Sequence, residues 1–250
     1  DGIGIDNCKN KEKTKNELKS ILERGAFVIF QSEFCKSFFR NEFEYLPNNA
    51  VIHNGSYPSI KSTKNEIKIL KNKISIPQKE DYFVVAGRFT GRKRIEETIN
   101  SFIKIDKFNL VVLSDIPEIR KVFHNKIRYL GLQSPDFAKK IICNSIALIH
   151  MDRYDWCPNI VISALANNVP IICSNYGGTP EIVKNNGKII NEFSKNIPYD
   201  LNGLDILKNS IFPDKLFHQA LHDIKGKKIC SKFSKKYTIN NCSKNYIEKI

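Results

Sequence analysis

The sequence has no apolar run near the roughly 20 residues that a membrane-spanning helix needs, and its opening, DGIGIDNCKNKEK, holds no apolar signal core. It has no C-x-x-C pair either. Its seven cysteines, Cys8, Cys35, Cys143, Cys157, Cys173, Cys230 and Cys242, are odd in number and scattered. That argues against a disulfide framework and a cysteine zinc site, and predicts reduced thiols in a cytoplasmic setting. No G-x-x-x-x-G-K-[ST] loop occurs and no G-x-G-x-x-G follows a strand, so P-loop chemistry and a dinucleotide fingerprint lack support; the GIG at Gly2 to Gly4 is too short a signal. No Asp-x-Asp pair is present to hold a divalent cation. Acid is scarce, 26 Asp and Glu against 40 Lys and Arg, a net charge of +14. Such an excess suits a polyanion or an anionic membrane surface, and peripheral membrane contact is one reading. The lysines are spread along the chain, however, and Lys, Asn and Ile recur throughout, so a generally solvated basic surface is the simpler reading. No zinc finger, aromatic RNA-binding stripe or basic heptad helix supports nucleic acid.

What is present is a globular composition, 41% hydrophobic and 26% charged over 250 residues, enough for one large or two modest domains. Residues 11–24 form a polar, helix-compatible run. Residues 27–31 read as a strand, with Ser32 as N-cap of the next helix, and 50–55 as a second strand ending in a turn. The lysine-rich stretch 56–81, with Pro58 and Pro77, reads as a linker plus insertion. Strands then alternate with helices: strands at 82–86, 109–114, 127–131, 146–150 and 170–174, helices at about 93–105, 117–124, 135–143 and 158–166, and one opening at Pro180. Short apolar strands separated by helices predict an α/β fold with a parallel, Rossmann-like sheet covered on both faces. The expected organisation is a partial N-terminal Rossmann-like segment over 1–57, a linker over 58–80, the main domain over 81–232, and a C-terminal helix over 233–250 packing back on the N-terminal segment. The first 57 residues hold too few strands for an α/β domain of their own, so the expectation is either an N-terminally shortened piece of a larger protein, which the absence of an initiator Met favours, or an unusually reduced first domain.

Three junctions of the main domain share one design. In AGRFTGRKR a strand ends, Gly87 and Gly91 loosen the turn, and Arg88, Arg92, Lys93 and Arg94 crowd a helix start. In YDWCPN the chain leaves a strand near His150 and passes Asp155 to a helix with Pro158 in its first turn. In SNYGGTPEIV it leaves Ser174 for Gly177, Gly178, Thr179 as the expected cap, and Pro180. Parallel strands place all three at one carboxyl edge, where ligands of such sheets bind. Helix N-termini offer unpaired N–H groups and positive potential, and glycine lets backbone approach closely. Arg88 adds a fork-shaped cation and Lys93 a point charge. Together they predict a phosphate or diphosphate site.

The motifs FVIFQSEFCK, VIHNG, VVAGRFTGRKRIEETINSF, RYLGL and DWCPNIVISALANNVPIICSNYGGTPEIV, in this order, resemble the GT-B glycosyltransferases of family 4, retaining enzymes that use nucleotide-sugar donors. The resemblance runs from Phe27 to Val183. It implies that Arg88 and Lys93 grip the donor diphosphate, and that Leu130, Gly131 and Leu132 form a turn against the nucleotide base. Asp155 stands at the first acid of the family's Glu-x7-Glu motif, touching the transferred sugar, and Ser163 at the second, which meets ribose. Gly87, Pro158, Asn159, Gly177, Gly178 and Thr179 line the donor site, and Asn54 and Gly55 close the first domain. Asp155 is one methylene shorter than the family's Glu, and Ser163 lacks the carboxylate. His53 and His150 do not match the family's acceptor-side histidine and read as structural. The implied function is retaining transfer to a glycan, lipid-linked or protein-linked acceptor, with no metal or other cofactor. The alternative is a weak or inactive nucleotide-sugar-binding module or partner subunit. An epimerase or a phosphorylase of the same architecture has no motif of its own here.

Overall fold

Every side chain of the strand Tyr82–Ala86 is buried, and alternate residues serve different cores: Tyr82, Val84 and Ala86 face one apolar cluster, Phe83 and Val85 another. A strand apolar on both faces belongs inside a sheet covered on both sides. It is the third of eight described strands in a computed structural model that describes residues 11–25, 27–58, 62–226 and 235–249. Gly2, Gly4, Cys8 and Cys230 lie outside these residues. β1 (Val28–Phe30) and β2 (Asn49–Val51) pair in parallel as a sheet of two. β3 (Tyr82–Ala86), β4 (Asn109–Leu113), β5 (Ile127–Tyr129), β6 (Leu148–His150), β7 (Ile171–Ser174) and β8 (Gly187–Ile190) form a six-stranded sheet, all parallel, in the order β5-β4-β3-β6-β7-β8. The order reverses between β3 and β6, and this switch point opens a crevice at the carboxyl ends of the strands.

The helices, in chain order, are α1 (Lys11–Leu22), α2 (Glu33–Phe43), α3 (Lys64–Lys73), α4 (Ile95–Ile103), α5 (Pro135–Cys143), α6 (Asn159–Ala166), α7 (Thr179–Val183), α8 (Leu201–Leu207), α9 (Asp214–Asp223) and α10 (Ile239–Lys249). One face of the sheet is closed by α5, α6 and α7 through Ile141, Val161, Leu165 and Ile182. The other is closed by α4 and α9 through Ile99, Phe102, Phe217 and Leu221. No helix among the described residues is long and apolar enough to cross a membrane.

The α/β architecture is the one the strand pattern predicts, with three local differences. The stretch expected to be a linker carries α3, whose N-cap Thr63 and Glu66 form a capping box; Leu70, Ile74 and Ile76 enter the main core. The helix expected over 117–124 is a single 3-10 turn, Glu118–Arg120. Ile119 and Phe123 are 92% and 84% exposed, so no buried face stabilises a helix there. Finally, β8 was hidden behind Gly187, whose place admits no side chain because a Cβ would lie 2.1 Å from the Ile171 carbonyl oxygen.

The N-terminal segment is fastened to the six-stranded domain through α2. Ser32 caps this helix by accepting the Cys35 N–H at 3.0 Å, while its hydroxyl donates to the Trp156 carbonyl at 2.6 Å. Glu181 of α7 accepts the N–H groups of Glu33 and Phe34 at 2.9 and 3.0 Å and bonds His53 Nε2 at 2.8 Å. Phe34 and Phe38 pack on the Trp156 ring at 5.2 and 4.8 Å between centroids. α10 closes the same seam: Ile239 N–H donates to the Ser56 carbonyl at 3.0 Å, and the Cys242 thiol lies 3.3 Å from the His53 carbonyl oxygen. Glu181→Ala is expected to cost about 2 kcal/mol, because a carboxylate serving a helix N-terminus leaves N–H groups unpaired when removed. Urea unfolding measures this, with a change below about 0.5 kcal/mol contradicting it.

Candidate active site

The loop after β3 is shaped by backbone requirements first. Gly87 has φ 147, which glycine takes without strain, and a Cβ there would touch the Lys93 stem at 3.7 Å. A 3-10 turn, Gly91–Lys93, follows, and Arg94 reverses the chain at φ 52 before α4 begins. The basic run is thereby divided. Arg94 points inward: it is 2% exposed and pairs with Glu97 and Glu192 at 2.7 Å each. Of the four basic residues at the helix start, Arg94 is thus a core ion pair that anchors the loop. Arg92 lies over the Tyr154 ring at 5.2 Å, and Arg88 is exposed with no ion pair among the described residues. Arg153 ties the two loops together by donating to the Gly91 and Leu207 carbonyls and to Glu97.

Lys93 points across the switch point to the loop after β6. Its ammonium lies 2.5 Å from Asp152 Oδ2 and 2.7 Å from Asp155 Oδ2. Asp152 is 4% exposed, and its carbonyl accepts the Ser174 hydroxyl at 2.5 Å. Nε2 of the buried His150 is 3.5 Å from Asp152 Oδ2 and makes no hydrogen bond. Burial, aided by the neighbouring Asp155 charge, pushes Asp152 up to about 7 against the pull of Lys93. Burial also works against Asp155, but the Lys93 ammonium outweighs it and holds that carboxyl below its usual range. Burial lowers Lys93, yet the two carboxylates outweigh it and raise the ammonium above its ordinary value. His150 is pressed down to about 3 by burial and then by the Lys93 charge, which makes it a neutral imidazole. His150, Asp152 and Asp155 bring ligating atoms within 4.8 Å of one another. The Lys93 ammonium lies against both carboxylates, so the cation of this cluster is the chain's own.

Above the cluster lies a cleft of about 670 Å³. Arg88, Thr90, Arg92 and Lys93 form one wall, Asp155 sits at the base, and Pro158 and Asn159 bring the start of α6 to the other wall. Of the residues expected at the site, Arg88, Lys93, Asp155, Pro158 and Asn159 meet here. Gly87 lies beneath Lys93. Leu130, Gly131 and Leu132 follow β5 at the same sheet edge, with Gly131 at φ 68 and Leu132 60% exposed, outside the cleft wall. Ser163, one turn beyond Asn159 on α6, is also outside it.

Gly177 and Gly178 face the Asp155–Trp156 backbone: a Cβ on Gly177 would lie 2.8 Å from Asp155 N and O, and the Gly178 N–H donates to the Asp155 carbonyl at 2.7 Å. They hold the carboxylate's loop from behind. Thr179 is not the cap of α7; Gly178 occupies that position, and the Thr179 hydroxyl is buried inside. No helix start or motif marks Asp152 in the sequence, although any polar residue just past β6 belongs to the same edge. Arg92 was visible as part of the basic run but indistinguishable there from Arg94.

A Rossmann-like domain with a cationic cleft at its switch point is the class that fold and site define. The family model "Glycosyl transferases group 1" matches residues 66–196, and the chain belongs to that family, with a fold of the GT-B type. An uncharacterized glycosyltransferase, MJ1607 of Methanocaldococcus jannaschii, is 24% identical over 70% of this chain and 48% of its own length. N-acetyl-alpha-D-glucosaminyl L-malate synthase of Bacillus anthracis is 24% identical over 48% of this chain and 34% of its own. The chain thus spans half or less of the curated relatives it matches. Anabaena Alr3699/HepE, solved in complex with UDP, shares the fold with a TM-score of 0.73 at 14% identity, over 96% of this chain and 68% of that one.

Proposed function

We propose that the chain carries the donor site of a retaining glycosyltransferase, which moves a sugar from a nucleoside diphosphate sugar to a hydroxyl of a glycan, lipid-linked or protein-linked acceptor. The observation that carries this reading is the meeting of Arg88, Arg92 and Lys93 with the start of α6 across one cleft. Its volume suits a ligand of that size. The first N–H groups of α6 have no intrahelical acceptor and favour an anion. Arg88 and Lys93 stabilise the departing diphosphate by charge already in place, so no metal is needed for that step. Asp155, ionised and held by Lys93, positions the sugar. Attack and departure take place on one face of the ring, without an enzyme nucleophile. The turn at Leu130, Gly131 and Leu132 lies on the same edge, where it receives the base. Gly87, Gly177, Gly178 and Thr179 shape the loops that line the donor site. Binding without turnover is the second reading, favoured by the position of Ser163 away from the cleft wall, where a ribose would have to reach past Asn159 to meet it.

Arg88→Ala tests the site with little risk to folding, since Arg88 is exposed. Loss of one charge-assisted contact is expected to weaken nucleotide-sugar binding about tenfold with no shift in Tm, as read by calorimetry and thermal unfolding. Unchanged affinity across a panel of uridine, guanosine and adenosine diphosphate sugars contradicts the assignment. Release of free nucleoside diphosphate by the intact chain separates turnover from binding alone.

A further inference from the structure

We propose that Asp152 is a positioning residue that makes donor binding take up a proton, by competing with the bound diphosphate for Lys93. The inference rests on the cleft being a donor site. Two carboxylates face one ammonium at 2.5 and 2.7 Å, so the cluster carries one negative charge in excess when both are ionised. A diphosphate entering the cleft that Lys93 lines meets an ammonium already engaged. Arg88 makes no ion pair with this cluster among the described residues, and Arg92 adds only a more distant positive charge to it.

Asp155 opens onto the cleft, whereas Asp152 lies behind Lys93 with its side chain 5% exposed. Of the two acids, Asp152 can take a proton without withdrawing a group from the sugar. It also has a place to direct that proton: the buried, unbonded Nε2 of His150, 3.5 Å away. The groups acting on Asp152 are Lys93 and Arg92 from the first loop, Asp155 from its own loop, His150 on β6 and the Cys173 thiol on β7. Only Lys93 and Arg92 among them are cations, and both face the cleft. A diphosphate that draws on those two charges removes what keeps Asp152 ionised, and its own negative charge pushes further toward protonation. The raised affinity of Asp152 for protons, caused by its burial, puts this exchange near neutral pH. Proton uptake on binding requires that affinity fall as pH rises.

The test uses UDP-glucose and GDP-mannose, whose diphosphate esters do not titrate between pH 6 and 8.5. Calorimetry of the full chain in two buffers of different ionisation enthalpy counts the protons taken up. The expected result is a Kd that weakens about tenfold from pH 6 to 8.5, with uptake approaching one proton per ligand at pH 8. Asp152→Asn is expected to bind with a Kd near the low-pH wild-type value at every pH and with no proton uptake. A purely structural Asp152 would instead leave the pH slope intact in the variant. Binding by the unaltered chain with no pH dependence and no proton uptake overturns the inference alone, and needs no variant to fold. If neither nucleotide sugar binds at any pH, the donor-site reading falls first and this inference with it.

Discussion

Lys93→Ala is expected to weaken nucleotide-sugar binding tenfold or more and to destabilise the chain most at alkaline pH. The reason is what the lysine leaves behind. Asp152 and Asp155 are both buried, and Lys93 is the ammonium within hydrogen-bond distance of each. Removing one partner from a buried ionic cluster costs about 3 to 5 kcal/mol, more than the cluster contributes as a whole, because the remaining charges are neither solvated nor paired. In the variant both carboxyls have folded pKa values above their unfolded ones. Stability is then greatest at low pH, where both acids are protonated in either state, and it falls as pH rises from the unfolded value through the folded one. Chemical unfolding at pH 5.5 and 8.5 reads this difference. An equal loss at both pH values would mean that Lys93 matters through the packing of its stem over Gly87, and that the electrostatic account is wrong.

Gly178→Ala is expected to be among the most damaging single-methyl changes at the described glycines. A Cβ there would lie 2.0 Å from the Trp156 carbonyl oxygen, 2.9 Å from its carbonyl carbon and 3.0 Å from Ser32 Oγ. No side chain can swing aside to make room, since two of the three atoms are backbone. Relief requires the Asp155–Trp156 segment to move, which breaks the Gly178 N–H to Asp155 carbonyl bond and the Ser32 hydroxyl to Trp156 carbonyl bond together. A cost above about 3 kcal/mol follows, or a Tm lower by roughly 10 °C for a chain of this size. Donor binding falls with it, because Asp155 is displaced. Gly91→Ala is the comparison: with nothing within 4 Å of its Cβ and no positive φ, it is expected to change stability by less than about 1 kcal/mol. Similar Tm values for the two variants would contradict the packing argument.

How far the sequence was legible follows from which physical signal each part leaves. The sheet could be read because buried strands such as Tyr82–Ala86 are apolar throughout, and the switch-point loops because glycine, proline and charge mark them. Lys93 and Asp155 could be matched by their motifs. Their contact could not, since it depends on two loops whose partners lie 62 residues apart in sequence. Arg92 and Arg94 are two residues apart and equally basic, yet one opens to the cleft and the other is buried. Their separation is set by the reversal at Arg94 and by Glu192, a residue far along the chain. The linker reading failed because lysines outweighed the apolar positions Leu70, Ile74 and Ile76, although Thr63 and Glu66 already marked a helix start. Ser163 is marked in the sequence as the departure from the Glu-x7-Glu pattern. Asp152, which matches no motif, proved to be the closer neighbour of Lys93.

The carbonyl of Trp156 takes the Ser32 hydroxyl, and the carbonyl one residue earlier takes the Gly178 N–H. The side chain on that earlier residue is Asp155. The floor of the pocket and the rivet that fastens the N-terminal segment are therefore one strip of backbone. The N-terminal segment and the Asp155 loop are thus joined through two adjacent peptide units.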